Sequence, residues 1–203
     1  ALPGAADVFK ACRDAGVQYL TIYAFSSANW KRPSDEISDL MQLLRHYLEQ
    51  ELQTLHENKV RLRFIGDLAQ LDKDIRDTID DAVEMTQRND AFNLTVALSY
   101  GARQEIVRAV RRLAANVASG ALAPGDITEE HITQALDTAG LPEPDLLIRT
   151  GGEQRLSNFL LWQSAYTEFY FTPTLWPDFA TPHFMDALHE YAKRERRYGT
   201  TGE

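Results

Sequence analysis

The chain has 203 residues, of which 44% are hydrophobic and 25% are charged, as in an ordinary globular protein. We expect one domain over residues 1–203, because this length suffices for a full hydrophobic core. The formal net charge of −9 argues against binding nucleic acid through bulk electrostatics. No apolar run approaches the ~18 residues that cross a bilayer. The one cysteine, Cys12, cannot form a disulfide within the chain, so we expect a reducing, cytoplasmic location.

Helical and strand patterns alternate along the chain. Helical spacing of apolar residues covers 4–14, 35–57, 72–88, 104–118 and 184–196, and Thr128 is a suitable N-cap for another helix. Short β-rich runs cover 17–25, 60–65, 92–100, 145–149 and 168–171, and 160–168 is typical of a short helix or a turn. This order predicts an α/β fold with a mainly parallel sheet and helices on both faces.

Two polar segments follow predicted strands. The first is SSANWKRP (26–33), which we predict to be a loop, and the second is RTGGEQRLSN (149–158). Ligands of open parallel sheets bind beyond the carboxyl ends of the strands. Arg149 and Arg155 offer guanidinium forks that match phosphate oxygens, and Ser157 adds a hydroxyl donor. The glycine pair 151–152 allows a close backbone approach. The two segments together predict a cradle for a diphosphate.

A purely structural interpretation of both segments stays open on the residues alone. A Gly-Gly pair after a strand is commonly just a turn, and the run 29–33 has the composition of an ordinary loop. The sequence contains neither a Walker-type phosphate loop nor a dinucleotide-binding glycine motif. The five histidines lack metal-ligand spacing, and Cys12 fits the apolar face of a helix.

Five motifs resemble the cis-prenyltransferases, and most closely the bacterial undecaprenyl diphosphate synthases. The motifs are AFSSANWKRPSDE (24–36), RFIGD (63–67), SYGARQEI (99–106), PDLLIRTGGEQRLSNFLLWQSAYTEFYFTPTLWPDF (144–179) and RERRYG (194–199). The resemblance extends over essentially the whole chain and is most specific in 144–179. It implies the cis-prenyltransferase fold and a homodimer.

The resemblance also implies a reaction. An allylic diphosphate, usually farnesyl diphosphate, is extended by isopentenyl diphosphate with each new double bond in cis, and Mg²⁺ is required. The implied product is a long polyprenyl diphosphate of the C55 class, a lipid carrier for cell-wall glycan precursors. Such a product is delivered to the inner membrane surface, where the protein is expected to act as a peripheral enzyme. The long helix 35–57 and the strands 17–25 and 92–98 supply apolar walls for the growing chain.

The site residues that follow are those implied by the resemblance, position by position. Arg149, Arg155 and Ser157 bind isopentenyl diphosphate, and Glu168 holds the magnesium ion. Asn29 stands at the position assigned to proton removal; because an amide is a poor base, we expect it to orient the diphosphate or a water while the departing diphosphate takes the proton. The remaining substrate-binding positions are Ser26, Ser27, Ala28, Trp30, Arg32, Glu36, Leu156, Arg197 and Gly199. Trp30 and Arg32 belong to a mobile loop with Glu36 at its far hinge, and the Arg-x-Gly motif 197–199 reaches the partner subunit's site.

Three departures from the family pattern affect these expectations. Ala28 stands where most members carry an acidic residue, and Ala102 and Gln104 are milder replacements. The family's first strand, with an Asp-Gly-Asn motif that binds magnesium and diphosphate, has no counterpart in residues 1–203. We therefore expect little prenyl transfer from these residues alone. Three interpretations stay open: part of a longer protein, a truncated form, or a catalytically silent partner subunit. The retained Arg149, Arg155, Ser157, Asn29 and Glu168 argue against the last.

Overall fold

A computed structural model describes residues 3–194, with side chains from residue 7 onward. The described helices are α1 (Pro3–Asp14), α2 (Ser34–Glu57), α3 (Lys73–Thr86), α4 (Ala102–Ala118), α5 (Glu129–Ala135) and α6 (Thr181–Ala192). The described strands are β1 (Tyr19–Tyr23), β2 (Val60–Ile65), β3 (Phe92–Ala97), β4 (Leu146–Arg149) and β5 (Glu168–Phe171). The chain divides into two compact units, which we name the central unit (Val17–Gly140) and the terminal unit (Ala1–Gly16 with Leu141–Glu203).

The central unit is built on a three-stranded parallel sheet in the order β1-β3-β2. Tyr19 pairs with Asn93 and Val60 with Phe92, so the middle strand β3 is paired along its full length with β2 and from Asn93 onward with β1. Five of its six residues, Phe92 and Leu94 to Ala97, are buried, as expected of a central parallel strand. The carboxyl ends of the three strands therefore lie along one edge of this sheet.

That edge is tied together by the backbone after each strand. Gly66, which follows β2, has a φ of +121°, and a Cβ placed there would lie 2.0 Å from the carbonyl oxygen of Leu98. Only glycine permits this approach, because it has no Cβ and tolerates positive φ. Asp67 N donates to the Ser99 carbonyl oxygen at 3.1 Å, so the segment after β2 is anchored to the segment after β3.

A buried polar network supports the same edge. Glu105 in α4 is 1% exposed; its carboxylate accepts from the Tyr100 hydroxyl at 2.5 Å and from Asp137 N at 2.9 Å. The Asp137 carboxylate in turn accepts from Arg108 at 2.5 Å and from Gly66 N at 3.2 Å. Because both oxygens of the buried Glu105 carboxylate have a donor, the network fixes α4 and the segment around Asp137 against the strand ends.

The terminal unit contains a second parallel pair, β4 with β5, in which Leu146 pairs with Glu168 and Arg149 with Phe171. Helices α1 and α6 contact each other, and α6 also contacts β5. The apolar residues that fill this unit are Val8, Ala11, Cys12, Leu147, Leu160, Phe179, Phe184 and Ala187. In both units every described strand pair is parallel, which confirms the predicted α/β class. The expectation of a single domain stays a prediction.

Most predicted elements are confirmed, with boundaries shifted by a few residues. The helix after Thr128 begins at Glu129, and its cap is completed by His131 instead of an acidic side chain: Thr128 N donates to His131 Nδ1 at 3.2 Å. The predicted loop 26–33 is wrong in part, because Ser27–Lys31 forms a 3₁₀ helix. Residues 160–167 form turns and not a helix. None of the described helices is long and apolar enough to cross a membrane.

Candidate active site

In the central unit, the segment after β1 is held in shape by its own side chains. Ser26 caps the 3₁₀ helix: its Oγ accepts from Ala28 N at 3.1 Å, and its N–H donates to Asn29 Oδ1 at 2.8 Å. This reciprocal arrangement is a capping box. Ser27 N donates to the Tyr100 carbonyl oxygen at 2.8 Å, which attaches the segment to the end of β3. The predicted substrate-binding residues 26–29 thus share one rigid turn.

The Asn29 amide is oriented by this cap. Its carbonyl oxygen is occupied by the Ser26 N–H, so the NH₂ group is the end available to a ligand. An amide NH₂ is a hydrogen-bond donor and not a base. The arrangement favours the interpretation in which Asn29 donates to an anion or a water, and it gives Asn29 no means of removing a proton.

Trp30 is fixed by two contacts. Its indole Nε1 donates to Ser99 Oγ at 2.9 Å, and its ring meets Phe25 edge to face, with centroids 5.1 Å apart and an interplanar angle of 84°. Lys31 and Arg32, which follow it, are exposed, and their side-chain cations have no partner within residues 7–194. Glu36 lies exposed in the first turn of α2. The end of the turn therefore presents two uncompensated positive charges beside a fixed indole.

In the terminal unit, Arg149 is the last residue of β4, and its Nε atom is buried without a hydrogen-bond partner among the described residues. A buried polar atom without a partner is rare in folded proteins and calls for an explanation such as a ligand. Arg155 differs: it is exposed and forms an ion pair with Glu153. Of the two predicted guanidinium groups, only that of Arg149 is left with a buried donor to satisfy.

The segment that carries these arginines, residues 149–158, has an unusual backbone. Gly151 and Gly152 have φ values of +85° and +74°, and their N–H groups donate to the carbonyl oxygens of Thr174 and Thr172 at 2.8 and 2.9 Å. Both N–H groups are therefore hydrogen-bonded within the protein and are not available to a ligand. Ser157 and Asn158 also have positive φ, at 50° and 66°, which is uncommon for residues other than glycine. Such backbone strain clusters at ligand-binding sites. Leu156, beside them, is half-buried.

Glu168, the predicted metal ligand, opens β5 and forms an ion pair with Arg194 at 2.9 Å; Arg194 also donates to the Phe169 carbonyl oxygen at 2.8 Å. The described residues contain no cluster of three or more His, Cys, Asp or Glu side chains that could hold a metal. Mg²⁺ is commonly bound by one or two protein carboxylates together with substrate phosphates and water. One carboxylate fits that pattern, provided that Arg194 yields or shares it.

The structure groups the predicted residues into two sets. Residues 26–32 and Glu36 belong to the central unit, whereas Arg149, Arg155, Leu156, Ser157 and Glu168 belong to the terminal unit. Arg197 and Gly199 lie outside the described residues. The sequence did not identify Ser99, which contacts Trp30, or Arg194, which contacts Glu168, as part of the site. A serine after a strand and an arginine in a basic run carry no distinguishing sequence signal.

The chain is similar to known proteins over nearly its whole length. A family described as "Putative undecaprenyl diphosphate synthase" matches residues 3–199. The isoprenyl transferase of Agrobacterium fabrum is 49% identical over 197 residues, covering 97% of this chain and 80% of the relative. That of Brucella suis is 53% identical over 194 residues, covering 95% and 76%. Matches of this extent define a prenyltransferase.

Two solved structures resemble the fold. A probable undecaprenyl diphosphate synthase from Campylobacter jejuni is 40% identical, with a TM-score of 0.86, over 98% of this chain and 91% of the other. Lavandulyl diphosphate synthase from Lavandula x intermedia, in complex with dimethylallyl diphosphate, is 39% identical, with a TM-score of 0.95, over 98% and 86%. The chain belongs to the undecaprenyl diphosphate synthase family and is a cis-prenyltransferase. The predicted family and fold are confirmed.

Proposed function

We propose that the protein condenses isopentenyl diphosphate in cis onto an allylic diphosphate, farnesyl diphosphate, and repeats the step to make a long polyprenyl diphosphate. In each cycle the allylic carbon–oxygen bond breaks and its electron pair leaves with diphosphate. The double bond of isopentenyl diphosphate supplies the electrons for the new carbon–carbon bond, and one proton is lost. The protein must therefore bind two diphosphates, stabilise the charge on the departing one and align the two carbons.

The observation that carries this proposal is the buried Nε of Arg149 at the end of β4, which has no hydrogen-bond partner in the described part of the chain. A diphosphate oxygen supplies the acceptor that the fold does not, and a charge-assisted hydrogen bond to a guanidinium is among the stronger ones. Arg155 and Ser157 complete the proposed subsite for isopentenyl diphosphate. Arg155 is paired with Glu153 in the absence of substrate. Phosphate must break that exposed ion pair, which lowers the net free energy that Arg155 contributes to binding.

The turn after β1 is proposed to act on the allylic diphosphate. The NH₂ group of Asn29 is free to donate to a phosphate oxygen because its carbonyl oxygen is held by Ser26 N. Arg32 adds a positive charge two residues beyond Trp30. With no base in this turn, the departing diphosphate is the group that takes the proton. The turn then binds and orients, and it does not itself transfer a proton.

Magnesium is proposed as the cofactor, with Glu168 as one protein ligand. When bound, Mg²⁺ neutralises charge on diphosphate oxygens and so makes diphosphate a better leaving group. The side chain that must adjust is Arg194, whose guanidinium occupies a Glu168 oxygen at 2.9 Å. Glu168 and Arg194 are both about one-third exposed, so this pair is partly solvated and easily exchanged.

The proposed product is the C55 lipid carrier for cell-wall synthesis, delivered to the membrane surface. Helix α2 has 24 residues and would be about 36 Å long, yet within it only Met41 and Leu48 are buried. Its half-buried apolar residues support a role as a wall for the growing chain. A second copy of the chain is the proposed partner; exposed apolar side chains near β5, at Tyr166, Phe171 and Leu175, support such an interface.

Primer choice tests the substrate assignment. The full-length protein is incubated with radiolabelled isopentenyl diphosphate and, separately, dimethylallyl, geranyl or farnesyl diphosphate, with Mg²⁺ or with a chelator. Reversed-phase chromatography of the dephosphorylated products gives their lengths. We expect farnesyl diphosphate to give the highest kcat/KM, a C55 product and no turnover with the chelator. Because a fold this similar belongs to a lavandulyl diphosphate synthase, a short product from dimethylallyl diphosphate alone would overturn the assignment.

A further inference from the structure

Ser99 lies directly behind the turn that carries Asn29 and Trp30. It follows β3, is 1% exposed and has a φ of 50°, a left-handed conformation that costs free energy for a residue with a Cβ. Such a conformation persists only where the surroundings hold it in place. Here its carbonyl oxygen accepts from Asp67 N, and its hydroxyl accepts from Trp30 Nε1 at 2.9 Å.

Residues 99 and 100 reach the turn in two ways. Tyr100 does so through its backbone: its N–H donates to the Phe25 carbonyl oxygen at 3.1 Å, and its carbonyl oxygen accepts from Ser27 N at 2.8 Å. These bonds hold the start of the turn and do not depend on side-chain identity. Ser99 reaches the end of the turn through its hydroxyl, which bonds the Trp30 ring. At the far end of the turn, Trp30 is thus held by one side-chain hydrogen bond together with its edge-to-face contact with Phe25.

We propose that Ser99 is a positioning residue for prenyl transfer: its hydroxyl clamps the Trp30 indole and thereby holds the turn with Asn29 and Arg32 ready for the diphosphate. This inference rests on the proposed role of residues 26–32 in substrate binding. Removing the hydroxyl leaves the backbone bonds at Ser27 intact and loosens the end of the turn, where Trp30 keeps its contact with Phe25. The cost then falls on alignment of the bound substrate and not on the fold.

The clamp is measured directly on the free protein. The chain has three tryptophans, so ¹⁵N-tryptophan labelling gives three indole N–H signals, and the signal missing from Trp30→Phe belongs to Trp30. In the wild type we expect this proton to exchange slowly with water. Ser99→Ala should accelerate its exchange roughly fivefold to tenfold, the effect of losing one neutral hydrogen bond. Ser164→Ala is the matched control, because Ser164 Oγ is buried without a partner among the described residues; it should change nothing.

Three replacements at Ser99 separate positioning from stability. Glycine removes the hydroxyl and relieves the left-handed strain, alanine removes the hydroxyl and keeps the strain, and asparagine keeps a side-chain acceptor and tolerates positive φ. We expect Gly to have a higher Tm than Ala, with both losing indole protection and about threefold to tenfold in kcat. Asparagine should restore both the indole protection and the kcat. If activity instead follows Tm, so that Gly is fully active, Ser99 is merely structural and the proposal is wrong.

The two hypotheses fail separately. Accelerated indole exchange in Ser99→Ala, of the size expected above, establishes the clamp even if the full-length protein shows no prenyl transfer. That second result would refute the proposed function alone. Unchanged exchange in Ser99→Ala, together with normal wild-type turnover, would refute the clamp alone.

Discussion

Replacing Arg149 by methionine should stabilise the free protein and weaken substrate binding. Both effects have the same origin, the loss of the buried Nε donor. Arg149 Nε is buried and has no partner within residues 7–194, and an unsatisfied buried donor costs about 1–3 kcal/mol. Methionine has a similar unbranched stem and no donor. We therefore expect the free energy of unfolding of the unliganded protein to rise by about 1 kcal/mol, at the low end of that range because Arg149 as a whole is only half-buried.

Binding should change in the other direction. A hydrogen bond to a charged group contributes about 1.5–3 kcal/mol, so the KM for isopentenyl diphosphate should rise roughly tenfold to a hundredfold in Arg149→Met. Urea denaturation of the full-length protein without isopentenyl diphosphate measures the stability of the free protein. The extra stability in the presence of isopentenyl diphosphate measures binding. Saturating ligand at 100 times its Kd should stabilise the wild type by about 2.7 kcal/mol and the variant far less at the same concentration.

Arg155→Met is the matched control for stability. Arg155 is exposed and paired with Glu153, so its removal should change the free energy of unfolding by less than about 0.5 kcal/mol. If Arg149→Met destabilises the free protein by more than about 1 kcal/mol and leaves the KM unchanged, Arg149 is a structural residue. The cradle after β4 would then lose its main support.

Three further predictions concern residues of the fold outside the candidate site. Gly66→Ala should destabilise the protein by more than about 3 kcal/mol in urea denaturation, because its Cβ would overlap the Leu98 carbonyl; a change below 1 kcal/mol would contradict this. Glu105→Leu should cost about 2–5 kcal/mol by stranding the Tyr100 hydroxyl, and an equally stable variant would count against the network. Burial raises the pKa of Cys12 from 9.0 to about 12, so the native thiol should resist disulfide reagents at pH 8. As the pH rises, the thiol of the unfolded chain ionises before that of the folded protein, so the free energy of unfolding should fall between about pH 9 and 12. Cys12→Ala should make this fall smaller. Rapid labelling of the native thiol at about pH 8 would refute the raised pKa.

The sequence predicted the helices and strands well because most of them carry a clear period. Helix α2 is a good case: apolar residues at helical spacing predicted 35–57, and the helix runs from Ser34 to Glu57. Strand ends were less certain, since the predicted strand 17–25 stops pairing at Tyr23. Beyond it the N–H groups of Ala24 and Phe25 both turn to the Ala97 carbonyl, at 3.0 and 3.2 Å. That bend depends on tertiary contacts that no local pattern encodes.

The site was predicted by residue type and not by arrangement. Ser26 and Asn29, three residues apart, carry a capping signal that would have predicted the 3₁₀ turn. Arg149 has a buried donor without a partner among the described residues, whereas Arg155 is paired at the surface. This difference follows from burial and could not be predicted from composition. The contact of Arg194 with Glu168 joins residues 26 positions apart and has no sequence signature.

The geometry of the new double bonds tests the central claim most directly. The full-length protein is given farnesyl diphosphate, Mg²⁺ and ¹³C-methyl-labelled isopentenyl diphosphate, and the methyl carbon shift of the product reports the geometry of each new double bond. The account predicts labelled polyprenyl product in which every new double bond is cis. New double bonds in trans, or no incorporation of label by the full-length protein, would contradict it.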